Sequence, residues 1–115
     1  MDAEAIRQYC LQKPAATEGF PFDSDTLVFK VAGKMFALLA LDAHPLRMNV
    51  KCDPERAIAL REEHASVLPG YHMNKASWNT LVLDGSLNRK WVEAEIDHSY
   101  DEVVKTLPKK TRETL

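Results

Sequence analysis

The sequence predicts an α+β fold in two layers, with an antiparallel sheet of about five strands and helices packed on one face of that sheet. Short strand-like segments that alternate between apolar and polar residues follow one another closely between residues 26 and 52. Segments with helical spacing of apolar residues stand before them, after them and near the end of the chain. A chain of 115 residues can bury one hydrophobic core, so we expect a single domain over residues 1–115.

The composition excludes several broad classes of protein. Hydrophobic residues make up 45% of the chain and charged residues 28%, and the net charge is −2, as in an ordinary soluble globular protein. No apolar run approaches the roughly 18 residues of a membrane helix, and the first residues are acidic where a signal peptide is basic. Cys10 and Cys52 lie far apart without a CxxC spacing, which favours reduced, buried thiols over a disulfide or a metal site. We therefore expect a cytoplasmic protein that does not interact with a membrane.

The first predicted helix begins at Asp2, whose carboxylate can accept a hydrogen bond from a free backbone N–H of the first turn. Ile6 and Cys10 share one face of this helix at helical spacing, which predicts that they face the core. Pro14 forbids continuation of the helix past Lys13.

The segment over residues 14–25 is predicted to be a connection without regular structure, because glycine and two prolines interrupt it. It carries two phenylalanines, Phe20 and Phe22. We expect these rings to plug the edge of the core rather than to form a site.

Residues 26–31 and 35–41 are predicted to form a β-hairpin with its tip around Gly33-Lys34. The first strand alternates clearly, so its odd-numbered positions are expected to face the core, whereas Lys30 faces away. Residues 47–52 alternate strictly and predict a one-sided strand. Its polar, basic side carries Arg47, Asn49 and Lys51.

A second helix is predicted to start at Asp53-Pro54, an Asx cap followed by proline at the first helical position, and to reach about Ala65. Residues 69–83 then supply one or two strands. Trp78 in that segment is assigned to the core, although an indole there could also stack on a base.

The last helix is predicted to begin with Ser86 as its N-cap and to end at Pro108. The remaining residues, 109–115, are expected to fray.

Charge is distributed unevenly along the chain. Between residues 26 and 52 four basic residues stand against one acid, a local net charge of +3. Residues 93–102 hold five acids and no lysine or arginine, a local net charge of −5. If the first segment is sheet and the second is helix, the sheet side is basic and the helix side acidic. The alternative is scattered surface charge without a role.

No sequence motif calls for catalysis or a cofactor. The four histidines are scattered along the chain, and none stands at i, i+4 from another as in a helical metal site. Glycine-rich phosphate loops and the GxSxG nucleophile motif are absent. We therefore expect a protein that is not an enzyme, with no cofactor and no bound metal.

Residues 72–81, HMNKASWNTL, followed by LDGSL at residues 83–87, resemble the signature of the MmcQ/YjbR family of small bacterial proteins. The resemblance extends over nearly the whole chain, with matching order and spacing, to DTLVFKV at 25–31, GKMFA at 33–37, KCDPE at 51–55 and DHSY at 97–100. It implies a frataxin-like, or CyaY-like, fold and DNA binding through a double-wing arrangement. It implies no catalytic residues.

Two functional hypotheses follow. The first is weak, largely sequence-nonspecific DNA binding by a monomer, with wings at the hairpin tip near Gly33-Lys34 and around residues 72–75. The second is a protein-interaction or small-ligand module that uses the uncovered sheet face without catalysis. The residues expected to contact DNA under the first hypothesis are Lys30, Lys34, Arg47, Lys51, His72, Asn74 and Lys75. Lys75 could instead merely solvate a turn that Asn74 and His72 organise.

Overall fold

The computed structural model describes residues 1–115 as six strands and four helices. In chain order these are α1 (Ala3–Leu11), β1 (Ala16–Gly19), β2 (Thr26–Val31), β3 (Lys34–Ala40), β4 (Leu46–Lys51), α2 (Pro54–Glu63), β5 (Val67–Pro69), β6 (Trp78–Leu83), α3 (Arg89–Val104) and α4 (Lys109–Arg112). The strands form one antiparallel sheet in the order β1-β2-β3-β4-β6-β5. The α+β fold class is confirmed, with six strands where about five were expected.

One face of the sheet is buried by α1, α2 and α3. Ile6 of α1, Leu60 of α2 and Ile96 of α3 pack with the inward residues of the strands in a core of 20 buried residues. Phe29 of β2 and Met48 of β4 are fully buried in that core. Each such side chain contributes roughly 1.5–3 kcal/mol by leaving water. This layer fixes the sheet and leaves its other face without a helix.

The predicted starts of the first two helices are confirmed. The Asp2 carboxylate accepts a hydrogen bond from the Ala5 N–H at 2.8 Å, and the Asp53 carboxylate accepts one from the Arg56 N–H at 3.2 Å. Pro54 occupies the first turn of α2, where its missing N–H needs no partner.

The predicted hairpin is also confirmed, and its two-residue turn consists of Ala32 and Gly33. Their φ angles are +49° and +79°, so both residues are left-handed, as a type I′ turn requires. This turn twists in the same sense as the strands that it joins, and it places the hairpin tip where the sequence predicts it.

A β-bulge changes the facing of the start of β3. Phe29 pairs with Ala37 and Lys30 pairs with Met35, so Phe36 is the extra residue on β3. Phe36 and Ala37 are both fully buried in the core, although they are adjacent in the chain. Met35 is thereby turned to the face opposite the helices, beside Lys30.

The connection predicted over residues 14–25 is wrong in part, because Ala16–Gly19 forms the edge strand β1. The short ATEG segment pairs with β2 although it lacks the apolar alternation of the other strands. The expectation that Phe20 and Phe22 plug the core is also wrong, since these side chains are 51% and 64% exposed. Because β1 takes the place at the sheet edge, the loop that follows it runs outside the core.

The N-cap of the last helix is Asn88 and not Ser86, which corrects the prediction. The Asn88 side chain accepts a hydrogen bond from the Trp91 N–H at 2.8 Å. Ser86 is engaged earlier in the loop, where its hydroxyl lies 2.7 Å from the Asp84 carboxylate and 2.6 Å from the Ser66 hydroxyl. The helix starts late because this loop has its own hydrogen bonds.

The tail expected to fray instead contains the one-turn helix α4. Its N-cap is Pro108, and Leu107 immediately before it is 5% exposed and anchors the turn. Leu115 packs against the main core. An apolar residue at each end therefore holds the tail on the domain.

Both edges of the sheet are short strands, four residues in β1 and three in β5, which ends at Pro69. The Glu18 side chain of β1 is held by Arg7 of α1, with Nε 2.8 Å from Oε1.

The longest helix, α3, has 16 residues, and no helix of the structure combines the length and the apolar character of a membrane span.

Candidate functional site

The sheet face opposite the helices, called here the uncovered face, has an apolar centre and a polar periphery, in which the strands carry cations and the neighbouring loops carry Asp23 and Asp42. Val28, Leu38 and Trp78 form a small buried cluster there, separate from the main core. Trp78 is 8% exposed, so its predicted burial is confirmed, but it lies in this cluster rather than under the helices. By strand register, the side chains of β2, β3, β4 and β6 on this face are Thr26, Val28, Lys30, Met35, Leu38, Ala40, Arg47, Asn49, Lys51, Trp78, Thr80 and Val82. None of them is acidic.

The segment over residues 70–77 crosses the uncovered face and covers part of its apolar centre. It leaves the sheet at Gly70, where a Cβ atom would lie 2.7 Å from the Cβ of Trp78, so only glycine fits this close approach. Met73 then packs against the Val28, Leu38 and Trp78 cluster. This polar cluster of the sequence therefore lies on the sheet itself and is not a free arm.

A hydrogen-bond network fixes the segment to the sheet. The Thr80 hydroxyl donates to the Asn49 side-chain oxygen at 2.6 Å and accepts from the Tyr71 N–H at 3.0 Å. The Asn49 side-chain amide donates to the Tyr71 carbonyl at 3.0 Å. Both backbone polar groups of Tyr71 are thus satisfied by side chains of β4 and β6, which holds the Tyr71 backbone in one place.

Between this segment and the loop after β1 lies a groove of about 810 Å³. Its floor is formed by outward residues of β2, β3 and β4, and its margins by the two flanking loops and by Asp42 of the β3–β4 connection. Phe22 stands on the β1–β2 side and Tyr71 on the β5–β6 side, and each of these rings is 64% exposed. The groove is lined by Phe22, Asp23, Thr26, Met35, Leu38, Ala40, Asp42, Arg47, Asn49, Tyr71, His72, Met73 and Asn74.

The charged groups of the groove are one guanidinium and two carboxylates. The Asp23 carboxylate accepts hydrogen bonds from the N–H groups of Asp25 and Thr26, at 2.9 and 2.7 Å, and these bonds lower its pKa from the usual 3.8. The Asp23 carboxylate is therefore engaged by backbone N–H groups of its own loop. Asp42 and Arg47 make no side-chain hydrogen bond or ion pair and remain available to a ligand.

Of the seven residues predicted to contact DNA, the structure brings Arg47, His72 and Asn74 together in the groove. His72 has a left-handed backbone, with φ of +60°, and its ring lies 4.0 Å from that of Tyr71. The Asn74 side chain accepts a hydrogen bond from the Ala76 N–H at 2.9 Å, which organises the turn that carries Lys75.

The remaining four predicted residues lie outside this groove. Lys30 lines a smaller neighbouring groove of about 300 Å³ beside β1. Lys51 ends β4 on the uncovered face, and Lys75 is exposed on its turn. Lys34 is directed towards the helix layer, with its Nζ 3.4 Å from the Thr106 hydroxyl, so it does not share a surface with the other cations.

The groove residues that were not predicted as ligand contacts include Phe22, Met35, Asp42 and Tyr71. Met35 is placed there by the bulge, which no local pattern announces. Phe22 and Tyr71 stand in loops directly after Pro21 and Gly70, where no apolar alternation or helical spacing indicates the direction of a side chain.

The helix layer contains no comparable site. Burial raises the pKa of the Cys10 thiol to about 12 and that of the Cys52 thiol to about 11, so neither is a reactive thiolate at neutral pH. Glu95, 2% exposed, is paired with Arg56 between α2 and α3. No group of three or more histidine, cysteine, aspartate or glutamate side chains is placed to hold a metal ion.

These features define a small α+β protein with one helix-covered sheet face and one uncovered face that carries a groove. A family model described as YjbR matches residues 11–102. The chain belongs to the MmcQ/YjbR family, as the residues of its signature segments predict.

Relatives of full length share the family but are themselves described as uncharacterised. Protein YjbR of Escherichia coli K12 is 35% identical over 115 residues, which cover 100% of this chain and 98% of the relative. Protein YbdF of Escherichia coli O157:H7 is 31% identical over 108 residues, 93% of this chain and 88% of the relative.

Solved structures show the same fold. The crystal structure of Deinococcus radiodurans protein DR2400 superimposes with a TM-score of 0.91 at 40% identity, over 96% of this chain and 84% of that one. A crystal structure of a Pseudomonas syringae protein gives a TM-score of 0.76 at 26% identity, over 89% and 98% of the two chains.

Proposed function

We propose that this protein is a non-catalytic DNA-binding protein of the cytoplasm, which contacts DNA weakly and with little sequence preference through its uncovered sheet face. The observation that supports this most is the set of cations that the strand register places there. Lys30, Arg47 and Lys51 project from β2 and β4, and no strand residue on that face is acidic. Phosphate contacts by lysine and arginine supply the sequence-independent part of DNA affinity.

Four of the five acids of the segment over residues 93–102 have a cationic partner, Glu95 among them through Arg56. Asp97 is paired with Lys13, Glu102 with Lys105, and Arg89 Nε lies 3.2 Å from Glu93. Local pairs of this kind cancel at distances beyond a few ångströms. This segment therefore opposes phosphate binding less than its local net charge of −5 implies. With so few cations, binding is weak and falls steeply with salt.

The turn that carries Lys75 provides the sharpest test of DNA contact. Lys75→Ala should weaken binding to a labelled duplex similarly for different sequences, and it should reduce the slope of log affinity against log salt by about one. Because Lys75 is exposed and makes no ion pair, the free energy of unfolding should change by less than about 0.5 kcal/mol. Fluorescence anisotropy at two salt concentrations and a thermal melt measure the two quantities.

Two variants serve as controls. Lys110→Ala removes another exposed lysine, from α4, and should leave the affinity unchanged. Asn74→Ala breaks the hydrogen bond to the Ala76 N–H and should cost about 0.5–1.5 kcal/mol of stability, which separates loss of the turn from loss of charge. No binding of duplex to the unmodified protein even at low salt would refute the proposal.

A second candidate function, a protein-interaction or small-ligand module without catalysis, is favoured by the groove itself. Its volume of about 810 Å³ lies within the roughly 300–1,000 Å³ of small-molecule sites, and its apolar floor suits such a ligand. Binding of this kind depends on apolar contacts and persists at high salt. A stable complex that survives nuclease treatment and high salt would favour this function over DNA binding.

A further inference from the structure

We infer that the groove accommodates an unpaired nucleobase, so that the preferred ligand of the uncovered face is single-stranded nucleic acid. This inference rests on the proposed nucleic-acid binding and specifies the class of ligand. It depends on the two aromatic side chains at the margins of the groove, on its apolar floor, and on the position of its charges.

Phe22 and Tyr71 face solvent on opposite sides of the groove, each 64% exposed. The strands β3 and β4 lie between the two margins, a width on the order of 10–15 Å at ordinary strand spacing. Exposed aromatic rings beside a basic surface provide stacking platforms for bases. A base stacks on such a ring only when its own face is free, and in a duplex both faces are already stacked on neighbouring base pairs.

The floor between the aromatic rings is apolar and adaptable. Leu38 is buried there, and the half-buried methionines Met35 and Met73 lie against the same cluster. Unbranched thioether side chains adjust to differently shaped ligands and contact aromatic rings favourably. A floor of this kind receives the flat face of any base, which agrees with binding that has little sequence preference.

The charges place the backbone of the nucleic acid outside the groove. Arg47 at the groove and Lys30 beside the neighbouring one flank the floor on different strands and can each contact a phosphate. The free carboxylate of Asp42 repels phosphate but accepts a hydrogen bond from the exocyclic amino group of a base such as cytosine. A base in the groove with its phosphates on the flanking cations satisfies all three groups.

The experiment compares three labelled decamers with the full chain at low salt. The first alternates dC and dT as a single strand, the second is its duplex with the complementary strand, and the third carries abasic deoxyribose phosphates in the same number. The abasic strand offers the same phosphates without bases. We expect the single strand with bases to bind at least about 5-fold more tightly than the other two, since each stacked base contributes a factor of that size or more.

Two variants test the rings. The variants are Tyr71→Ala and Phe22→Ala. Tyr71→Ala keeps the backbone hydrogen bonds to Thr80 and Asn49, and Phe22→Ala truncates a side chain that is 64% exposed, so both variants are expected to fold. Each should weaken binding of the single strand about 5-fold or more and leave binding of the abasic strand unchanged. Ile58→Ala, which truncates a side chain that is 53% exposed on α2, is the matched control on the helix side and should change neither affinity.

The outcomes separate this inference from the proposed function. Equal affinity for the three decamers, together with the salt dependence of phosphate contacts, would retain the proposed function and overturn the inference. Unchanged single-strand affinity in both ring variants would overturn it as well. If no decamer bound at low salt, nucleic-acid binding and this inference would both be wrong, and the groove would belong to a protein or small-molecule partner.

Discussion

At the scale of single residues, Thr80 connects the sheet to the segment that covers it. Its hydroxyl donates to Asn49 and accepts from the Tyr71 N–H, and its side chain is only 2% exposed. A buried group of this kind is costly to remove because its partners lose their hydrogen bonds without gaining water. The position of Tyr71 at the groove therefore depends on this hydroxyl together with the Asn49 side-chain amide.

Thr80→Val should lower the free energy of unfolding by about 1–3 kcal/mol, because it leaves the Asn49 side-chain oxygen and the Tyr71 N–H without their donor and acceptor. Urea denaturation measures the change. Thr17→Val makes the same substitution at an exposed position of β1 where the hydroxyl has no partner, and it should stay within about 0.5 kcal/mol of the unmodified protein. Similar losses of unfolding free energy in both variants would show that the Thr80 hydrogen bonds contribute nothing to stability.

The negative charge of Asp42 should weaken phosphate binding at the groove, whereas the positive charge of Arg47 should strengthen it. If phosphates approach this face, Asp42→Asn removes a repulsive charge and should tighten DNA binding about 2- to 5-fold at low salt, the size of a typical exposed charge interaction. Anisotropy titration with the same duplex measures this gain, which should shrink at high salt. Asp101→Asn, an exposed unpaired acid on α3, is the control, and an equal gain there would assign the effect to net charge rather than to the face.

At the scale of elements, α2 and α3 are joined by an ion pair whose two side chains differ in burial. Glu95 is 2% exposed, whereas the side chain of its partner Arg56 is 43% exposed. Hydrogen bonding to Glu95 raises the pKa of Arg56 further above its usual value. A carboxylate buried this deeply depends on its partner for compensation.

Arg56→Met should destabilise the protein by about 1–3 kcal/mol, because it leaves the buried Glu95 charge uncompensated while the partial exposure of the site admits some water. The double variant Arg56→Met, Glu95→Leu removes both charges and should be more stable than Arg56→Met alone. Urea denaturation of the unmodified protein, Arg56→Met, Glu95→Leu and the double variant gives the coupling energy between the two residues. A double variant no more stable than Arg56→Met would show that the uncompensated Glu95 charge is not the cause of the destabilisation.

Most elements could be predicted from local pattern, because caps, prolines and alternation act over a few residues. Asp2, Asp53 and the Gly33 turn mark boundaries that the structure confirms. The strand β1 could not be predicted, since ATEG becomes a strand only by pairing with β2. Its omission also explains the wrong placement of Phe20 and Phe22.

The candidate site could be predicted only in part, for a related reason. Arg47 and Lys51 were assigned to the uncovered face correctly, because strict alternation in β4 fixes their side of the sheet. Met35 changes face through a bulge, and Tyr71 joins the groove through Asn49 and Thr80, which are distant in sequence. Lys34 lies near the end of α3, a contact that depends on how the helix packs.

At the scale of the whole molecule, two loop carboxylates link stability to pH. Asp23 accepts hydrogen bonds from Asp25 and Thr26, and Asp84 from Ser86 and Ser66, and these bonds lower both pKa values below the usual 3.8. A group whose pKa is lower in the folded state stabilises the protein above its unfolded pKa. That contribution is lost as pH falls through the folded value.

The melting temperature should therefore fall as pH is lowered from about 5 towards 3, and the fall should be smaller in Asp84→Asn, which carries no proton-linked charge at this position. Thermal melts at half-unit pH steps measure the slope. Asp101→Asn, which removes an acid without hydrogen bonds, should keep the slope of the unmodified protein. An unchanged slope in Asp84→Asn would rule out this loop as a source of acid sensitivity.

The short edge strands have a consequence for behaviour at high concentration. A second molecule could add to the sheet only along β1 or β5, and these offer four and three residues. Pro69 cannot donate a ladder hydrogen bond, and the Glu18 side chain is held by a charge partner from α1. Edge-to-edge growth into fibrils therefore has almost no template, so the protein can leave one sheet face without helices and still not polymerise through its backbone.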